Sequence, residues 1–223
     1  MSGSELTPYW RTAIEADRRL RAVGVACCVV KSYAGDPSYD DGNVDVVVPE
    51  NLWSVYTRCF ADGWYVVPRD RIKNRLYERN KLMLRPTEKG KAKLHLHANV
   101  GWHDACFVPA EEVLSAAEPV QIGGSSVRVL RRSEEAWVTL LHIAFEQFRK
   151  SPRDERFLRE QDYRTFARRL GMRFDRLGPL RAIPGPIPIR SLLPIWALFY
   201  RRLERRSNLS AWNKVLHACL VLV

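Results

Sequence analysis

VACCVVKSYAGDPSYDDGNVDVVV, residues Val25 to Val48, reads as two buried strands joined by a polar loop rich in Gly and Asp. The first strand, Val25 to Lys31, is an apolar run of Val and Cys. The second, Asn43 to Val48, is bounded by Gly42 and Pro49. Alternate side chains of a strand share a face, so Asn43 and Asp45 point one way and Val44 and Val46 the other. Core-grade valine on one face with Asn and Asp on the other suits a strand that presents polar groups to a metal or ligand. It equally suits an edge strand with one wet face.

Working outward, the chain of 223 residues is long enough for one large domain or two small ones. Its apolar content of 46% excludes a disordered chain. The net charge of +11 favours anionic partners: nucleotides, nucleic acid or an acidic membrane surface. Five cysteines, an odd number without a CxxC pair, predict reduced, mostly buried thiols and carry no zinc signature. The opening MSGSELTPYW is not an apolar leader, and no run reaches the ~18 apolar residues that span a bilayer. These features predict a cytoplasmic protein.

Upstream of the deciding stretch, Thr7-Pro8 suits the N-cap and first position of a helix that Gly24 ends. Downstream, a helix is expected from Pro49-Glu50 to about Asp62, then a short strand from Trp64 to Val67. Arg69 to Lys81 carries six basic residues and reads as an arm over a phosphate-bearing ligand or as a solvated face. Lys81 to Arg85 and Lys91 to Val100 are expected to pair as a hairpin. On its second strand Lys93, His95, His97 and Asn99 share a face. Two histidines at i and i+2 can ligate one metal with a neighbouring carboxylate, or simply line a cleft.

Trp102 to Val108 is expected to be a loop, Pro109 to about Ala117 a short helix, and Val120 to Ile122 with Val127 to Leu130 a second hairpin. Ser133 is the expected cap of a long helix from Glu134 to about Arg149, with His142 beside its apolar stripe. Ser151-Pro152 breaks the chain before a helix from about Asp154 to Leu170. Between Arg149 and Arg206 stand 16 Lys/Arg against 6 Asp/Glu, so most of the excess charge lies there. Residues Ile183 to Pro188 read as a Pro-rich linker, and Ser191 to Arg205 and Ser210 to Val223 as two short helices. Their apolar runs beside arginine clusters suit peripheral contact with an anionic membrane, or packing on the domain or a partner.

Taken together, these residues resemble the nucleotidyltransferase superfamily, whose fold is like the polymerase-beta catalytic domain, and within it an uncharacterised bacterial branch. The likeness rests on Lys31-Ser32, the loop Tyr33 to Gly42, Asn43-Val44-Asp45, His95-Leu96-His97, Val127-Arg128-Val129-Leu130 and His142. Covering roughly Val25 to Arg149, it implies an α+β fold, a mixed sheet flanked by helices over residues 1–130; the charge and periodicity read above add a basic helical region over 131–223 that the likeness does not reach. The likeness also implies an NTP and Mg²⁺ or Mn²⁺, with nucleotide transfer to a hydroxyl acceptor. Asp45, Asn43 and Asp41 are then the candidate catalytic residues, Lys31 and Ser32 the phosphate-binding ones, and Asp45, His95 and His97 the metal ligands.

The family sets three carboxylates around its metal ions, because Mg²⁺ takes oxygen ligands. Here Asn43 and His95 occupy two of those three positions, and Lys31 replaces the glycine of the phosphate-binding turn. Asp36, Asp40 or Asp41 compensates if the loop folds inward. The alternative is a catalytically degenerate scaffold that binds a nucleotide, a nucleic acid or a protein partner.

Overall fold

The computed structural model describes residues 6–68, 70–72, 79–102, 105–143 and 151–160. Its centre is a seven-stranded mixed sheet of order β3-β4-β5-β2-β1-β9-β8. The strands are β1 (Cys28–Val30), β2 (Asn43–Val47), β3 (Trp64–Tyr65), β4 (Lys81–Pro86), β5 (Lys93–His97), β8 (Ala117–Ile122) and β9 (Ser125–Leu130). Strand β2 runs antiparallel to β1 and parallel to β5, and β1 runs parallel to β9. The helices are α1 (Pro8–Ala22), α2 (Leu52–Cys59), α3 (Ala110–Ser115), α4 (Arg132–His142) and α5 (Pro152–Glu160). A separate pair, β6 (Asn99–Trp102) and β7 (Ala105–Pro109), completes the described elements. This is the expected α+β class, a mixed sheet flanked by helices.

The two faces of the sheet follow from the alternation of its central strands. Val44, Val46, Leu82, Leu84, Leu94 and Leu96 are fully buried on one face. Burying each such side chain stabilises the fold by roughly 1.5–3 kcal/mol. Helix α1 begins where Thr7 accepts the Trp10 N–H at 3.3 Å, with Pro8 at its first position. It sets Trp10, Ala13, Ala16 and Leu20 into the core without exposure. The opposite face carries Asn43, Asp45, His95 and His97.

Several local expectations change. The first strand is shorter than Val25 to Lys31, because Lys31 has a φ of +59° and leaves the extended region. The second helix starts at Leu52, not Pro49: the Asn51 side chain accepts the N–H groups of Trp53 and Ser54, both at 3.1 Å. The strand expected from Lys91 to Val100 is split at Ala98 into β5 and β6. Trp102 to Val108 is not simply a loop, because Ala105–Pro109 pairs with β6 across a register shift at Val100/Gly101. Helix α4 starts at Arg132, so Ser133 lies inside it rather than capping it, and its hydroxyl bonds Glu134. Helix α5 starts two residues early because Ser151 caps it. The Ser151 hydroxyl accepts the Asp154 N–H at 3.1 Å, and the Asp154 carboxylate accepts the Ser151 N–H at 2.7 Å.

The basic arm at 69–81 lies largely outside the described residues. The Pro-rich linker and both C-terminal helices lie entirely outside them. No described helix is long and apolar enough to cross a membrane. Of the described cysteines, Cys27, Cys28 and Cys59 are buried and Cys106 is exposed.

The loop between β1 and β2 is packed against β8 at Gly35, whose φ is +81°. A Cβ there would stand 2.9 Å from Val120 Cγ2. Gly24 has a similar φ of +74° with nothing within 4 Å of such a Cβ. Gly24→Ala is therefore expected to cost about 1 kcal/mol of backbone strain alone, and Gly35→Ala about 2–4 kcal/mol, that strain plus the added overlap. Urea denaturation of both variants measures this; equal losses would contradict the packing of the loop on β8.

Candidate functional site

The parallel register of β2 and β5 sets Asp45 beside His95 and Val47 beside His97. Residues paired this way share a face, so Asn43, Asp45, His95 and His97 converge. Asp45 is only 2% exposed, and its two oxygens have different partners. Oδ1 meets His97 Nε2 at 2.8 Å and His95 Nδ1 at 3.3 Å. Oδ2 accepts from Lys31 Nζ at 2.6 Å and from the Asn43 amide at 2.9 Å.

Lys31 reaches Asp45 because of its backbone. Val30 is the cross-strand partner of Asp45, so an extended Lys31 would project to the opposite face. The left-handed conformation at Lys31 breaks that alternation and returns the ammonium to the carboxylate. Tyr33 and Ala34 also have positive φ, at 44° and 53°. Three non-glycine residues in this region store about 1–3 kcal/mol each and persist only where other contacts over-determine them.

Those contacts are dense. Ser32 is fully buried and its Oγ accepts the Gly35 N–H at 3.2 Å. The Trp10 indole donates to the Asp36 carbonyl at 2.8 Å, and Arg132 donates to the Tyr33 carbonyl at 3.3 Å. The Ala34 N–H donates to the carboxyl of Glu135, a fully buried residue of α4. The Asp36 carboxylate accepts from Ser38 N and Oγ at 2.9 and 2.7 Å, closing its own turn.

The three buried acids and bases titrate apart. Burial, the largest single effect, pushes the Asp45 carboxyl up, but the Lys31 charge and the hydrogen bonds from His95 and His97 outweigh it. The carboxyl ends well below the usual range. Burial pushes His97 down to about 4 against the opposing pull of Asp45, so its imidazole is neutral at neutral pH. As the Nε2–H tautomer it donates to Oδ1; as the Nδ1–H tautomer its Nε2 keeps a lone pair. Burial raises Glu135 to about 8, opposed by the N–H groups of residues 32–34 and by Arg132.

Beside this cluster lies a cavity of about 590 Å³, within the size range of small-ligand pockets. Its wall includes Lys31, Tyr33, Tyr39, Asp40, Asp41, Thr139 and His142, and from α5 Arg153, Asp154 and Arg156. Helix α5 is tied to the loop by a Tyr33–Asp154 hydrogen bond and by Tyr33 stacked on Phe157 at 4.5 Å. The Arg153 guanidinium lies 5.4 Å from the Tyr39 ring centre. Asp41 stands on the wall of this cavity, solvent-accessible, rather than with Asp45, His95 and His97. Partial burial raises its carboxyl, Asp45 adds to that, and Lys31 opposes it. A second cavity of about 30 Å³ touches Asp45 and His97 and is walled by Val47, Val100, Phe107 and Leu141.

Of the residues expected from sequence, Asp45, Asn43, His95, His97 and Lys31 are thus brought together. Ser32 is turned into its loop, and Asp41 faces the large cavity. Glu135, Thr139, Tyr33 and Arg153 were not anticipated. One signal was available: Glu135, Val138, Thr139 and His142 fall at i, i+3, i+4 and i+7, one helix face.

Among the described residues, the ligand atoms of Asp45, His95 and His97 lie within 4.8 Å of one another. A Mg²⁺ or Mn²⁺ pair held by shared carboxylates does not fit this set, because it offers one carboxylate and two imidazole nitrogens where such a pair takes oxygen.

No protein-family model matches the chain, and no curated protein matches it. Solved structures similar to it include the following two. One is the solution structure of the antibiotic-resistance factor ANT(2'')-Ia, with 12% identity, a TM-score of 0.45 and coverage of 88% of this chain and 98% of that one. The other is an antigenic nucleotidyltransferase-like protein from Paracoccidioides brasiliensis, with 14% identity, a TM-score of 0.43 and coverage of 89% and 91%. Likeness at this level does not decide chemistry.

The raised Glu135 has a consequence for stability. An acid whose folded pKa exceeds its unfolded value stabilises the fold fully below the unfolded pKa, near 4.3, and loses that contribution as pH rises through the folded value near 8. His97, held near 4 in the fold, works the other way between about 4 and its unfolded value near 6.5 and offsets Glu135 there, so wild-type stability is expected to fall mainly between about pH 6.5 and 8, and Glu135→Gln, which mimics the neutral carboxyl, to flatten that part of the profile. Urea midpoints across the range check this; an unchanged slope in the variant would contradict it.

Proposed function

We propose that the chain is a nucleotidyltransferase-like scaffold that binds a nucleotide in the large cavity without two-metal transfer. One observation carries the reading. The single remaining carboxylate, Asp45, is neutralised by protein groups, with Lys31 Nζ at 2.6 Å and the Asn43 amide at 2.9 Å on one oxygen. Two-metal transfer needs carboxylates free to bridge ions, hold the triphosphate and offset charge on the leaving pyrophosphate. Lys31, Arg153 and Arg156 instead border a space large enough for a nucleotide, with Tyr33 and Tyr39 as aromatic walls. The sequence resemblance to nucleotidyltransferases supports the choice of nucleotide among anions of this size.

A second reading is favoured by Asp40 and Asp41, which border the same cavity as Lys31. There the protein transfers a nucleotide from an NTP to a hydroxyl acceptor with Mg²⁺ or Mn²⁺, Asp41 replacing a missing acid. Nucleic-acid and membrane contacts rest on stretches outside the described residues and form no part of either reading.

Calorimetric titration of the full chain with ATP, CTP, GTP and UTP separates the two, run in EDTA and again with Mg²⁺, alongside a pyrophosphate-release assay. The expected result is binding in EDTA that Mg²⁺ changes by no more than about twofold and that Lys31→Ala and Arg153→Ala each weaken by about tenfold, ~1.4 kcal/mol. No pyrophosphate should form. Pyrophosphate release that requires Mg²⁺ and disappears in Asp45→Ala would establish the second reading instead.

A further inference from the structure

We infer that Asp45, His95 and His97 form a mononuclear site for a transition-metal ion of the Zn²⁺ and Co²⁺ class, in place of a magnesium pair. The donor set decides the class of ion. Imidazole nitrogen suits Zn²⁺, Co²⁺ and their neighbours, whereas Mg²⁺ takes oxygen. Two imidazoles and one carboxylate, with a further position open, is a donor set of known zinc chemistry.

The distances suit the ion. Asp45 Oδ1 lies 2.8 Å from His97 Nε2 and 3.3 Å from His95 Nδ1. A tetrahedral Zn²⁺ with bonds of about 2.0–2.1 Å sets its ligand atoms about 3.3 Å apart. Of the three ligand pairs, the Asp45–His95 pair already has that spacing, the Asp45–His97 pair must spread by about half an ångström, and the two imidazole nitrogens lie within 4.8 Å of each other, all within the reach of χ adjustments.

The two oxygens of Asp45 divide the work. Oδ1 faces both imidazoles, while Oδ2 is held by Lys31 and Asn43. An ion at Oδ1 leaves those partners in place, where they orient the ligating carboxylate as outer-shell groups do. Neighbouring strands β2 and β5 supply all three ligands, so the site is set by sheet register rather than by a loop. The cavity of about 30 Å³ that touches Asp45 and His97 has room for a water molecule. It borders two of the three ligands and offers a position for a fourth, with Lys31 and His142 on its wall beside Val47, Val100, Phe107 and Leu141. A hydrogen-bonded polar cluster with no ion is the outcome that would overturn this assignment.

The test uses the full chain stripped with chelator, titrated with Zn²⁺, Co²⁺ and Mg²⁺ by calorimetry, with Co²⁺ also followed by visible absorption. The site predicts one ion per chain, the absorption of low-coordinate Co²⁺ without thiolate-to-cobalt charge transfer, and no displacement by millimolar Mg²⁺. His95→Ala and His97→Ala should each weaken binding by about 100-fold, with circular dichroism confirming that they fold. The wild-type competition between Zn²⁺ and Mg²⁺ needs no variant. Absence of Zn²⁺ and Co²⁺ binding by the wild type, equal competition by Mg²⁺, or binding unchanged in both histidine variants would overturn the assignment. Nucleotide binding in EDTA is read separately, so the failure of one reading leaves the other standing.

Discussion

A carboxylate enclosed at the centre of a sheet must be compensated, and Asp45 is enclosed almost completely. An uncompensated buried charge costs several kcal/mol. Four neighbours meet it: Lys31, Asn43, His95 and His97. Three of them arrive through strand register alone. Lys31 arrives only because the chain turns left-handed directly after β1. The strained loop from Lys31 to Gly35 is thus the structural condition for a stable Asp45, and Glu135, Ser32, Trp10 and Arg132 are the groups that hold that loop.

Two buried acids consequently behave in opposite ways. Asp45 has a cation and hydrogen-bond donors at both oxygens and stays ionised. Glu135 meets backbone N–H groups and the Arg132 charge, but burial outweighs them, so its carboxyl is raised to about 8. The first keeps a charge in the site; the second fixes geometry from behind it. The same loop also carries Tyr33 and Tyr39 to the large cavity, so strain, the ion pair and the candidate ligand pocket share one short segment.

Much of this was legible from residue order. Period-two alternation put Asn43 with Asp45 and His95 with His97, and the valines and leucines between them on the core face. Thr7-Pro8 marked the start of α1. What the chain order did not reveal has physical reasons. A left-handed Lys31 has no sequence signal, because that conformation is usually advertised by Gly or Asn. The strand at Ala105–Pro109 was hidden because its pairing with β6 is irregular and its sequence lacks alternation. Glu135 looked like an ordinary acid of a first helical turn; only packing of α4 on the loop makes it a buried anchor. Asn51 outcompeted Pro49 as a helix start because its side chain satisfies two backbone donors.

The most direct test of this account is a double-mutant cycle between Lys31→Met and Asp45→Asn, read as unfolding free energy in urea. A buried, loop-delivered ion pair predicts a coupling of about 1–3 kcal/mol. Additive effects, within about 0.3–0.5 kcal/mol, would show that the two side chains do not depend on one another and would contradict it.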